Sequence, residues 1–229
     1  MRYSTVLLDA DMTLLDFDAD EAAALSDALR DFGIICTEEI RSLYHNINKG
    51  LWEEYELGII TKQQIGENRF TRLLEALGAE GDGVELNKIY MGYLCNGGRT
   101  LDGAHDICRK LSESGAKLYI ITNGTTHIQK SRFSRSGLEK YIDGVFISDE
   151  IGFQKPKKEY FDAVFKSIDE ADKSRIIVVG DSPSSDIAGG INAGLDTCRF
   201  NPKRLPDGKY TPTYTVHELS EIFGIVMGE

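Results

Sequence analysis

Cysteine is scarce in this chain of 229 residues, and the four present, Cys36, Cys95, Cys108 and Cys198, are scattered. They form no CxxC pair, and no histidine stands at zinc-ligand spacing from them, so the sequence carries neither a zinc motif nor a marked disulfide framework. Long apolar runs are missing too. Nothing approaches the roughly 18 uninterrupted apolar residues of a membrane span, and Arg2-Tyr3 leads into a short strand-like run instead of an apolar leader. A soluble, reduced, cytoplasmic protein is the expectation. Positive charge is in deficit: 26 Lys and Arg against 37 Asp and Glu give a net charge of −11. That argues against a nucleic-acid polymer or an anionic membrane as partner. It does not argue against a small anion, because one lysine or a bound metal inverts the local field. There is no internal repeat and no low-complexity tract. The histidines, His45, His105, His127 and His217, have no partners at metal or triad spacing and read as structural or surface residues. The acidic run Asp16, Asp18, Asp20 and Glu21 lacks the glycine and distal glutamate of a calcium loop, and reads as the start of a helix. No feature sets an oligomeric state.

What is present is a regular alternation. Apolar residues make up 41% of the chain, an ordinary share for a globular core. Five short runs read as strands: Thr5 to Leu8, Lys117 to Ile121, Gly144 to Ile147, Arg175 to Val179 and the more mixed Asp196 to Phe200, a candidate edge strand. Most are continuously apolar, as in a parallel sheet covered on both faces. After residue 101 they alternate with helices: Ala104 to Glu113 before Gly115, Thr125 to Ser136 before Gly137, and Lys157 to Ile168 with Pro156 in its first turn. This predicts an α/β, doubly wound, Rossmann-like parallel sheet. Between the first two strands, helical periodicity runs without a strand from about Asp18 to Tyr93. The expected helices there are one through Ala22 to Leu29, then Glu38 to Glu56, Thr61 to Leu77 and Asp82 to Tyr93. A crossover needs only one helix, so 16–99 reads as an inserted helical domain and 1–15 with 100–229 as the core. The hinges would be Leu14 to Phe17 and Asn96 to Gly98.

Ligands of open α/β sheets bind beyond the carboxyl ends of the strands. The first strand ends in VLLDADMTLLD, placing Asp9, Asp11 and Thr13 there. Thr122, Asn123 and Gly124 follow the second, Lys155-Pro156 the third, and Gly180, Asp181, Ser182 and then Asp186 the fourth. One rim would therefore gather four carboxylates, one lysine and several amide and hydroxyl donors. Such a set fits phosphoryl transfer with Mg²⁺, which prefers hard oxygen ligands. Asp9 and Asp181 would bind the metal through side chains and Asp11 through its backbone carbonyl. Thr122, the amides of Asn123 and Gly124, and Lys155 would hold the phosphoryl oxygens. The acids two apart in an extended chain would then divide the work. Asp9 would be the nucleophile and form an aspartyl phosphate, while Asp11 would protonate the leaving alkoxide and deprotonate the hydrolytic water.

The set DADMT, ITNG, QKP and GDSPSSD, in that order, resembles the four motifs of the haloacid-dehalogenase-like (HAD) phosphohydrolases, and the insert is similar to their C1-type helical cap. The resemblance implies Asp9 as nucleophile, Asp11 as acid–base, Thr122 and Lys155 as phosphate stabilisers, Asp181 as metal ligand and Asp186 as a second acid near the metal. Asp11 points to a phosphatase and away from the dehalogenase branch, which lacks it. Asn48 to Gly58, the segment SRSGLEKYIDGVFISDEIGFQKPKKEYFDAVF, Phe200 to Pro202 and Pro212 to Tyr214 resemble the YjjG/YfnB-type pyrimidine 5′-nucleotidases. That implies a nucleoside monophosphate as substrate, with cap contacts to base and sugar; Asn48 and Trp52, four apart on one helical face, and Phe17 at the hinge are the candidates. Trp52 reads equally as packing. Asp186, after Ser184-Ser185, reads equally as a first-turn acid favoured by the helix dipole. Within the enzymes, a phosphatase of a sugar phosphate or phosphoglycolate and a phosphosugar mutase stay open. Outside them, a phospholigand-binding regulatory module does.

Overall fold

The computed structural model describes residues 1–168 and 170–229. In chain order its elements are β1 (Thr5–Asp9), α1 (Phe17–Asp31), α2 (Glu38–Glu56), α3 (Lys62–Leu77), α4 (Gly83–Leu94), α5 (Ala104–Glu113), β2 (Lys117–Thr122) and α6 (Thr126–Ser136). There follow β3 (Gly144–Ile147), α7 (Ser148–Ile151), α8 (Lys158–Ser167), β4 (Ile176–Gly180), α9 (Ala188–Ala193), β5 (Asp196–Phe200), β6 (Tyr214–Val216) and α10 (Ile222–Met227). They divide between two compact units, Met1–Phe17 with Gly98–Glu229, and Asp18–Gly97.

The first unit is a parallel sheet in the order β3-β2-β1-β4-β5-β6. Side chains alternate across each strand, so each strand feeds two cores. Val6 and Leu8 of β1, with Ile177 and Val179 of β4, pack on Ile107 and Leu111 of α5 and on Ile222 and Val226 of α10. Leu7, Ile176 and Val178 pack on the opposite face with Tyr160, Phe161 and Val164 of α8. The chain leaves β1 to build outward through β2 and β3, then returns to the other side of β1 with β4. That reversal opens a crevice between the ends of β1 and β4.

Two expectations are corrected here. The run Asp196–Phe200 is not an edge strand, because β6 pairs with it in parallel. Pro156 does not sit in the first turn of α8: that helix begins at Lys158 with Lys157 as its N-cap, and the Lys155–Pro156 peptide is cis.

The second unit holds the remainder of α1 and all of α2, α3 and α4. Thr37 and Asp82 cap α2 and α4 through side-chain oxygens, and Thr61 with Gln64 forms a capping box on α3. Its centre is aromatic: Tyr44 stacks on Phe70 at 5.1 Å between ring centroids, and Tyr90 lies 5.2 Å from Phe70 and 5.7 Å from Tyr44. No helix among the described residues is long and apolar enough to cross a membrane.

Candidate active site

β1 is buried along its whole length and delivers Asp9 to the crevice at its carboxyl end. The extended run stops there. Asp11 lies outside the strand in a bridge with Leu15, and Met12 adopts a left-handed backbone with φ 62°. The two acids therefore face different partners. Asp9 accepts from Thr13 Oγ1 at 3.1 Å and from Lys155 Nζ at 2.7 Å. Asp11 accepts from Arg132 Nη1 and from Gln129 Nε2, each at 2.5 Å. The two-residue alternation of a strand does not extend past Asp9, and the turn at Met12 gives Asp11 its own orientation.

Lys155 is 1% exposed, and its three ammonium protons all find acceptors. Nζ donates to Asp9 Oδ1 and Asp186 Oδ1 at 2.7 Å each, and to the Ile121 carbonyl at 2.9 Å. Burial alone would push this amine down; Asp186 and Asp9 outweigh it and hold the lysine above its ordinary range. Asn123 places the lysine. Its Nδ2 donates to the Lys155 carbonyl at 2.9 Å, and its Oδ1 accepts from the Lys155 N–H at 2.8 Å. This double clamp holds Lys155 in a turn that the Lys157 N–H closes on the Gln154 carbonyl at 2.9 Å, and the helix begins only at Lys158. Tyr160 closes the same region, accepting from the Thr122 N–H at 3.1 Å and donating to the Phe146 carbonyl at 2.7 Å. Thr122 Oγ1 accepts from the Gly124 N–H at 3.0 Å and from Gln129 Nε2 at 3.2 Å.

Asp186 is buried in the site, on a wide turn, Pro183–Ile187, entered through the Ser182 cap. Its Oδ1 accepts from Lys155 and its Oδ2 from the Ser182 N–H at 3.1 Å. Asp9, Asp181 and Asp186 each offer a carboxylate oxygen within 4.8 Å of the others. Burial raises Asp9 to about 7, with Asp186 adding to the rise and Lys155 opposing it. Asp181 is raised well above its ordinary value, first by burial, then by Asp9 and Asp186. Asp9 and Asp186 share one ammonium and Asp181 adds a third carboxyl, so the cluster has a deficit of cations against carboxyl groups. An all-oxygen donor set with that deficit fits a divalent hard cation.

The remaining candidates are engaged within their own units. The ring of Phe17 lies 5.2 Å from the Arg132 guanidinium. Asn48 is buried on the inward stripe of α2, where Nδ2 donates to Glu21 Oε1 at 2.7 Å. Glu21 is thus no solvated start-of-helix acid; it is buried, and burial raises its carboxyl above the usual range. Trp52 is half-buried against the cluster of Leu51, Tyr55 and Ile65, edge-on to Tyr55. Sequence reasoning missed Gln129, Arg132 and Tyr160. A signal for two of them exists: the buried stripe of α6 is Ile128, Gln129, Arg132, Phe133 and Ser136, with polar residues where a packing helix would carry apolar ones.

The family model for haloacid dehalogenase-like hydrolases matches residues 3–194. The chain is similar to the HAD-hydrolase YfnB of Bacillus subtilis, with 41% identity over 226 residues, 98% of this chain and 96% of that protein. A magnesium-bound crystal structure of YfnB superposes with a TM-score of 0.94 at 40% identity, covering 99% of both chains. The pyrimidine 5′-nucleotidase PynA of Streptococcus pneumoniae is 40% identical over 223 residues, 97% of this chain and 94% of that one. The pyrimidine 5′-nucleotidase YjjG of Escherichia coli is 37% identical over 224 residues, 97% of each.

Proposed function

The chain belongs to the haloacid dehalogenase-like hydrolases, and from that premise we propose that it is a cytoplasmic, Mg²⁺-dependent pyrimidine nucleoside 5′-monophosphate phosphatase. The observation that carries the chemistry is the pairing of Asp9 with Lys155 beside Asp181 and Asp186, with Asp11 held two residues away by a separate set of donors. The substrate class rests on the two nucleotidases that match this chain over 97% of its length. Four free cysteines suit a reducing compartment.

Asp9, Asp181 and Asp186, with the backbone carbonyl of Asp11, would hold the Mg²⁺. Bound there, the ion supplies charge neutralisation among the acids and toward the incoming phosphate. Asp9 attacks phosphorus as the ester oxygen leaves, and Asp11 passes its proton to that oxygen, so the alcohol departs neutral. Water then attacks the acyl phosphate and gives its proton to Asp11; phosphate leaves and both carboxyl groups are restored. Lys155, Thr122, Thr13 and the backbone amides of Asn123 and Gly124 face the charge that builds on the phosphoryl oxygens. The core, 1–15 with 100–229, carries this chemistry. The helical insertion, 16–99, would select the leaving group, with half-buried Trp52 as the candidate contact and Phe17 at the hinge, while Asn48 is spent on Glu21 within the insertion.

The test is phosphate release with Mg²⁺ across nucleoside monophosphates and sugar phosphates, beside Asp9→Asn. Pyrimidine monophosphates should lead and the variant should be inactive. A leading sugar phosphate would refute the substrate assignment and leave the mechanism intact. Activity persisting in Asp9→Asn, with the asparagine verified by mass, would refute the mechanism.

A further inference from the structure

We propose that Gln129 and Arg132, three apart on α6, are positioning residues that hold the carboxyl group of Asp11 in line with the departing ester oxygen. The proposal rests on the reading of Asp11 as the acid–base. Each carboxylate oxygen has its own donor: Oδ1 takes Arg132 Nη1 and Oδ2 takes Gln129 Nε2, both at 2.5 Å. Two donors on two oxygens fix the plane of a carboxyl group as well as its place, which one ion pair does not.

Both donors are themselves fixed. Arg132 is fully buried, and the Phe17 ring lies 5.2 Å from its guanidinium. Gln129 is 2% exposed; its Nε2 also donates to Thr122 Oγ1 at 3.2 Å, tying Asp11 to the end of β2. A Cβ at Gly124 would fall 2.1 Å from Gln129 Nε2, so with the amide in this place position 124 has no room for a side chain. The Oε1 of Gln129 is buried without a partner among the described residues. An unsatisfied buried acceptor is a cost that core packing alone does not ask for.

The test compares kcat/KM, which reports only the steps up to loss of the leaving group, for p-nitrophenyl phosphate and benzyl phosphate. The nitrophenolate leaves as an anion, whereas the benzyl alkoxide needs a proton. Asp11→Asn should depress benzyl phosphate by ~10²–10⁴-fold and nitrophenyl phosphate far less. Gln129→Met and Arg132→Met should show the same selectivity at about 10- to 100-fold, and Arg132→Lys, which keeps the charge without the planar fork, should recover part of it. In the Asp11→Asn background, none of the three should lose more than about twofold further. Equal loss on both substrates, or full additivity with Asp11→Asn, would overturn the proposal. Arg132→Lys and Gln129→Met decide the matter should Arg132→Met not fold. If Asp11→Asn itself shows no selectivity, the acid–base reading falls instead, a separate outcome.

Discussion

A Cβ built on Gly180 would lie 2.3 Å from Cγ of Asp186. At that distance the buried carboxylate must move, and with it the Lys155 ammonium it shares with Asp9. Gly180 is therefore needed for close approach, not for a left-handed turn. Gly180→Ala should destabilise the protein by ~1–3 kcal/mol, as overpacking a tight interior does, and raise the Mg²⁺ concentration needed for half-maximal phosphatase activity. Thermal unfolding and a Mg²⁺ titration of activity check both halves. A variant with wild-type metal dependence would show that Asp186 tolerates displacement and is not part of the metal cluster. Lys155 teaches the complementary lesson. Its sequence context, a lysine before proline, is that of a surface residue. Only the folded chain shows an ammonium whose three protons are all engaged inside the site.

Between strand and helix, the segment carrying Lys155 is held to the end of β2 by the side chain of Asn123, which bonds both the N–H and the carbonyl of Lys155. Asn123→Ala removes both bonds and should lower kcat by ~10–10²-fold, because a displacement of about 1 Å at a catalytic group costs that much. Asn123→Asp keeps the acceptor for the Lys155 N–H and should recover part of the loss. A kcat within twofold of wild type in Asn123→Ala would refute the clamp. The elements themselves were largely legible: β1 and β4 are short apolar runs bounded by polar residues, and Thr61, Gly78, Asp82 and Gly137 mark helix ends in the chain as they do in the fold. β6 was not, since three residues, Tyr-Thr-Val, make a strand only by pairing with a distant neighbour. The polar stripe of α6 was harder to read, because periodicity counts apolar residues and Gln129 and Arg132 are buried where they donate to Asp11. Asn48 stood on the apolar stripe of α2, where a buried partner and a ligand contact look alike in sequence; the partner found is Glu21.

At the scale of the whole molecule, the excess of acids includes one tight cluster, Asp9, Asp181 and Asp186, and that concentration couples stability to pH and to metal. Asp9 is raised to about 7 by burial and by Asp186, and Asp181 is raised in the same sense. Their unfolded values are those of ordinary aspartates, about 3.9. Between about 4 and about 7 native Asp9 holds a proton that the unfolded chain has released, and Asp181 acts in the same sense. Stability of the metal-free protein from Asp9 therefore falls as pH rises through that window, with Asp181 adding to the fall. A divalent cation must displace the same protons, so its apparent affinity climbs through that window. At a Mg²⁺ concentration ~100 times its dissociation constant, binding to the native state adds about 2.7 kcal/mol, or ~5–10 °C for a chain of this size. The gain in Tm at fixed Mg²⁺ should thus be small at pH 5 and larger at pH 8. Asp181→Asn, which removes one acid, should flatten the metal-free pH slope and abolish most of the Mg²⁺ gain. The check is a set of thermal melts with and without Mg²⁺ from pH 5 to 8. A Mg²⁺ gain independent of pH would mean that the acids are already ionised in the native protein, and that Lys155, not the metal, neutralises them.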